Sequence, residues 1–213
     1  MQKYLKALYD IFKNYRSYAF TILINEIIFQ FKYNGELNKF KYLDSKFQSD
    51  SIPCSYFFLK KIKKFILKND INYSCDLGSG YGKILYFLGN LNNHKIDGVE
   101  LDKEIYSYSL TLKNINTKVF NEDILRFDIK SAKYDLFILN DPLKKLEDLK
   151  KLIARIKNFY NTGYIVLINL DEKKLQSVLD DLEIIDSLII SKSRNILFCS
   201  IEKNYDVSAI SIN

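Results

Sequence analysis

The sequence predicts an α/β protein: a mostly parallel sheet closed at one edge by an antiparallel hairpin, with added helices at the N-terminus. Three observations carry this. From Asp70 onward short apolar runs alternate with helical stretches, as parallel strands and their crossovers require. The last two runs are separated only by residues 191–194, room for a tight turn but not for a crossover helix. Three of the chain's seven glycines fall together where the first run gives way to a helical pattern.

The elements follow in order. Leu5, Leu8, Tyr9 and Phe12 recur at helical spacing. A second stripe runs through Phe20, Ile24, Ile27, Ile28 and Phe31, with Gly35 beyond it. A polar stretch over 44–51 and Pro53 precede a third helix from Ser55. Its apolar face is Phe58, Ile62, Phe65 and Ile66, and Lys60, Lys61, Lys63, Lys64 and Lys68 form a solvated face. Strands are predicted at 73–77, 95–100, 118–120, 134–140, 164–169, 182–190 and 195–202. Helices are predicted at 83–91, 103–113, 145–159 and 172–180. That makes a seven-stranded sheet.

Composition sets the outer limits. With 213 residues, 47% hydrophobic, 27% charged, 7 Gly and 2 Pro, the chain is neither disordered, collagen-like nor a disulfide scaffold. Cys54, Cys75, Cys199 and the single His94 are too dispersed for a Cys/His zinc site, so no metal is expected. Unpaired cysteines suit a reducing, cytoplasmic setting. Cys75 and Cys199 read as small core residues and His94 as solvated in a polar turn. The apolar run 18–31 contains Asn25 and Glu26 and is shorter than the ~20 residues of a membrane span. No signal-peptide pattern opens the chain. Charge is uneven: 13 Lys/Arg against 6 Asp/Glu in residues 1–70, then 19 against 20. AT-rich coding, which favours Lys, Asn, Ile, Phe and Tyr, accounts for much of this. No basic-aromatic module points to nucleic acid.

The glycine cluster is Asp76-Leu77-Gly78-Ser79-Gly80-Tyr81-Gly82, at the end of the first strand and the start of a helix. Glycines there admit positive φ and let a ligand approach the backbone closely. The second strand, Ile96-Asp97-Gly98-Val99, ends at Glu100, where a carboxylate can accept hydrogen bonds from ribose hydroxyls. The unit reads as an adenosine-binding βαβ half. The dinucleotide pattern G-x-G-x-x-G fails at Lys83, and no P-loop string occurs. Asp76, two residues before the first of the glycines, would repel a pyrophosphate and suits a ligand bearing an ammonium group.

From Ser51 onward the sequence resembles the class I S-adenosylmethionine-dependent methyltransferases, with a Rossmann-like sheet. The resemblance implies S-adenosyl-L-methionine as cofactor. Gly78, Gly80 and Gly82 would wrap its methionine part, Asp76 would orient the amino-acid portion and Glu100 would hold the ribose. Asn121-Glu122-Asp123-Ile124 resembles the adenine-contacting segment, with Asp123 the matching acid. Tyr56, Ser79, Leu101, Ile124 and Asn140 complete the implied set. The fourth strand ends Asn140-Asp141-Pro142-Leu143, similar to the Asn/Asp-Pro-Pro-aromatic string that faces the methyl in enzymes acting on nitrogen, but with one proline and Leu143 for the aromatic. Ile52-Pro53-Cys54-Ser55-Tyr56 resembles an entry segment of small bacterial members.

Asp141 is the catalytic candidate, as proton acceptor or nucleophile-positioning group. As an alternative it caps the following helix. Tyr56 and Tyr81 are candidates for the acceptor pocket. The division expected is a helical appendage over 1–50 that covers the active site and a methyltransferase domain over 51–213. A protein amine and a small metabolite are both admitted as acceptor. The rival readings are a non-catalytic module that binds the same cofactor and, less favoured, an NAD-linked oxidoreductase.

Overall fold

The computed structural model describes residues 18–32, 36–39, 41–42, 49–112, 117–179 and 181–201. The predicted first helix (Leu5, Leu8, Tyr9, Phe12) and Gly35 lie outside them. In chain order the elements are α1 (Ala19–Lys32), a short 3-10 turn (Glu36–Asn38), α2 (Tyr56–Lys68), β1 (Tyr73–Leu77), α3 (Lys83–Leu88), β2 (Lys95–Glu100), α4 (Lys103–Ser109), β3 (Thr117–Asn121), β4 (Leu136–Asn140), α5 (Leu146–Phe159), β5 (Tyr164–Ile168), α6 (Glu172–Leu179), β6 (Glu183–Ser191) and β7 (Arg194–Ser200). The strands form one sheet in the order β3-β2-β1-β4-β5-β7-β6. The first five run parallel, and β7 pairs antiparallel with both β5 and β6. The predicted fold class and hairpin are those observed.

Both faces of the sheet are covered at its centre, so β4 and β5 read as continuous apolar runs rather than as alternation. In β4, Phe137 and Leu139 face a core shared with Leu149, Leu152, Ile153 and Ile156 of α5. Leu136 and Ile138 face the opposite core, with Leu59, Ile62 and Ile66 of α2 and Ile84 and Leu88 of α3. Helix α2 starts where predicted: the Ser55 hydroxyl accepts from Phe58 N and caps it. Strand β4 starts at Leu136, two residues later than predicted. Tyr134 before it donates its hydroxyl to Asp97 Oδ2 at 2.9 Å, and Tyr73 donates to the same atom at 2.7 Å, so the buried acid of β2 is satisfied.

One expectation is corrected, and one helix faces an unusual way. His94 is 2% exposed, not solvated. Its Nδ1 lies 3.1 Å from the carbonyl of Ile71, and burial lowers its pKa. In α1 the apolar stripe faces outward: Phe20 is 67% exposed and Phe31 81%, with Ile24, Ile27 and Ile28 between them also exposed. The face that packs inward carries Ile22, Asn25, Glu26 and Phe29. Phe29 stacks on Tyr56 at 4.6 Å, and Glu26 Oε1 accepts from Tyr56 N at 2.6 Å. A polar contact to α2 decides which face of α1 turns in. Cys75 and Cys199 are fully buried, as read from the sequence. No helix among the described residues is long and apolar enough to cross a membrane.

Candidate functional site

The carboxyl ends of β1, β2, β3 and β4 open into one crevice, where open α/β sheets bind ligands. Its first wall is the glycine turn. Gly78, Gly80 and Gly82 have φ of 87°, 53° and 84°, a left-handed run that side chains resist. The amides of Gly78 and Ser79 both donate to Val99 O, fastening the turn to β2. A Cβ on Gly78 would sit 2.5 Å from Pro142 Cβ, and one on Gly80 would sit 2.8 Å from Ser51 Oγ. The bare backbone thus admits the chain's own neighbours as well as a ligand.

Glu100 stands at the end of β2, lines the crevice and is 6% exposed. Its Oε2 accepts from Gly80 N at 2.9 Å and its Oε1 from Asp102 N at 2.8 Å. Burial raises its pKa, and those two amides oppose the rise. Asp123 follows β3 and also lines the crevice, its Oδ1 accepting from Leu125 N. The loop that carries it is pinned from α5 by Arg155, whose guanidinium donates to the carbonyls of Ile124, Leu125 and Phe127. Ser79, Leu101, Ile124 and Asn140 reach the same crevice, as does Tyr81.

Four predicted residues stand back from it, Asp141 among them. Asp76 is fully buried behind the turn, and neither of its oxygens has a hydrogen-bond partner. Burial, then the Glu100 carboxylate, pushes its pKa well above the ordinary carboxylate range. Gly82 caps α3 without lining the crevice. The Tyr56 side chain is 1% exposed, under the Lys83 ammonium, which lies 3.7 Å from its ring centroid. The cofactor and acceptor-pocket contacts read for Tyr56 are not what its packing provides.

Asp141 is neither a helix cap nor a lining residue: α5 begins at Leu146, with Lys145 at its N-cap. Its carboxylate accepts from Lys174 Nζ at 2.6 Å, and Lys174 is 4% exposed. Asp141 itself has φ 40° and Asn169, at the end of β5, has φ 58°. Such strained positions cluster where surrounding contacts over-determine the backbone. Here those contacts are the Lys174–Asp141 pair and Asn169 Nδ2 donating to Asn140 Oδ1 at 2.8 Å.

The entry segment read from the sequence supplies Ile52, Pro53 and Cys54 to the outer wall; Ser49, Asp50 and Ser51 before it were not foreseen. Residues 49–52 cross the crevice as a strap: Ser49 N donates to Pro142 O, and Ile52 O accepts from Asn140 Nδ2 at 3.0 Å. Ser51 pairs through its backbone with Lys41, whose ammonium bridges Asp102 and Glu104 at 3.1 and 2.6 Å. Sequence reasoning also missed Lys83, a lining residue 4% exposed, which reaches Asn38 Oδ1 at 2.7 Å and Glu26 at 3.4 Å. Burial lowers its pKa and Glu26 partly restores it. A lysine after a glycine turn carries no sequence signal of burial. Among the described residues no group of His, Cys, Asp and Glu is placed to hold a metal.

A sheet of this order, with its antiparallel seventh strand inserted beside β5, is the class I methyltransferase fold. Comparison with solved structures agrees. The methyltransferase domain of bacterial CtHen1 matches with TM-score 0.56 at 12% identity, over 67% of this chain and 96% of that one. An RNA methyltransferase from Salinibacter ruber, in complex with S-adenosyl-L-homocysteine, matches with TM-score 0.56 at 14% identity, over 71% and 95%. The magnesium protoporphyrin IX methyltransferase of Synechocystis, with bound SAM, matches with TM-score 0.51 at 13% identity, over 68% and 77%. No family model matches the sequence, and no curated protein matches it.

Proposed function

We propose that the protein is an S-adenosyl-L-methionine-dependent methyltransferase acting on a protein amine or a small metabolite. The observation that carries this is the single crevice in which the glycine turn meets Glu100 and Asp123. The donor set fits that cofactor. Glu100 offers its remaining carboxylate lone pairs to a ribose, Asp123 offers an acceptor to an adenine amino group, and the unpartnered Asp76 suits a nearby cation. With Asp76 fully buried, that match is made through the turn or through water. When bound, the cofactor supplies an activated methyl for in-line displacement, and the protein's task is alignment.

In this reading Ser79, Leu101 and Ile124 shape the pocket, and Asn140 and Pro142 border the methyl. Asp141 acts as a positioning residue: paired with Lys174, it holds the β4 bend. Residues 1–50 serve as a cover over the domain that follows. A cytoplasmic setting fits the buried, unpaired cysteines.

A non-catalytic cofactor-binding module is the second reading. It is favoured by one observation: the Asn140 amide and the Pro142 carbonyl are already engaged by Ile52, Asn169 and Ser49. Two measurements test both. Calorimetry should give binding of S-adenosylhomocysteine and none of NADH; the reverse order rejects the cofactor assignment. Tritiated-methyl transfer into fractionated lysate should label one acceptor class. Binding without labelled product in any fraction favours the module.

A further inference from the structure

Helix α1 is amphipathic in the reverse of the usual sense. Phe20, Ile24, Ile27, Ile28 and Phe31 fall at i, i+4, i+7, i+8 and i+11, a band about 100° wide, and all five are exposed. Together they present on the order of 500 Å² of apolar surface, at the upper end of what a free monomer shows. Charge lies on the adjoining helix, α2. Lys60 Nζ sits 5.2 Å from the Phe29 ring on the inner flank of α1, and Lys61 Nζ sits 5.8 Å from the Phe57 ring, itself 5.7 Å from Tyr18. Lys60, Lys63, Lys64 and Lys68 are exposed along α2. Helix α2 has no acid, and the one acid of α1, Glu26, is turned inward on Lys83 and Tyr56.

We propose that this face docks on an anionic lipid surface, with α1 lying in the interfacial plane and the lysines of α2 against the headgroups. An apolar, aromatic-edged helix packed on a lysine-rich one supplies the two attractions that peripheral membrane binding needs, burial and charge. Charge complementarity selects the occupant. A second copy of the chain would bring two lysine rows together, whereas an anionic bilayer takes both the apolar band and the lysines. The face lies outside the crevice lining, and the proposal stands independently of the cofactor reading.

Co-sedimentation of the full chain with vesicles tests it. Binding to a two-to-one mixture of phosphatidylcholine and phosphatidylglycerol should exceed binding to phosphatidylcholine alone by about tenfold or more, and high salt should remove the excess. The Ile28→Asp/Phe31→Asp variant should lose about tenfold or more of the vesicle binding while melting as the wild type does, because both side chains face solvent. Lys63→Glu/Lys64→Glu should abolish the preference for phosphatidylglycerol. Three results overturn the proposal. One is no binding to the mixed vesicles. Another is equal, salt-insensitive binding to both lipids. The third is a dimer that Phe31→Asp dissociates, or a monomer that it destabilises, which places a second copy or residues 1–17 on the band.

Discussion

Asp76 is a carboxyl group folded into an apolar strand with nothing to accept from. Its raised pKa means that the folded chain holds a proton the unfolded chain releases. The stability this contributes is complete below the ordinary value of 3.8 and is lost as pH climbs toward the folded value. Asp76→Asn lacks this titration. Its melting temperature should therefore gain on that of the wild type as pH is raised from about 5 to 8. The same variant should bind S-adenosylhomocysteine more weakly, by calorimetry, if the carboxylate serves the ligand's ammonium. Gly78 makes the opposite case, a residue whose missing side chain matters. Gly78→Ala adds left-handed strain and a clash with Pro142, together about 2–4 kcal/mol, readable as a lowered urea midpoint at unchanged m.

Among the elements, the bend after β4 depends on a lysine supplied by α6. Lys174→Met would leave the Asp141 carboxylate unpaired. With that side chain 25% exposed, the cost is about 2 kcal/mol rather than the 3–5 of a fully buried pair. Asp141→Asn combined with Lys174→Met should be less destabilised than Lys174→Met alone, a coupling that a denaturation cycle measures.

Such pairings mark where the sequence stopped being legible. Unbroken apolar runs located β4 and β5, whose two faces are both covered. The hairpin was legible from its turn length. The glycine turn, Glu100 and Asp123 were legible because strand ends deliver them to one edge. Lys83 and Lys174 were not: a buried lysine is written like a surface one, and only its distant partners, Glu26 with Asn38 and Asp141, explain it. His94 was misread for the same reason, since the Ile71 carbonyl it meets is 23 residues away. The orientation of α1 was hidden too, as helical period gives a stripe but not which side packs. The strap over 49–52 has no period at all, and its contacts are all tertiary.

For the whole molecule, the crevice predicts a ligand-linked rise in stability. S-adenosylhomocysteine at a hundred times its dissociation constant should stabilise the fold by about 2.7 kcal/mol. For a chain of this length that raises the melting temperature by roughly 5–10 °C, checked by calorimetric scans with NADH as the control. Gly80→Val, with its Cβ against Ser51, should remove that shift as well as lower the starting temperature.

The hydrogen bond from Asn140 to Ile52 spans 88 residues of sequence. A ribosome adding about 5–20 residues each second delivers Ile52 several seconds before the residue that will fix it. Until Asn140 and Pro142 have emerged, the nascent chain has a floor of finished β1 and β2 but an unroofed groove. Competence to hold a small molecule is thus acquired late in translation, and nucleoside present during synthesis meets a binding site only once the middle of the chain has been made.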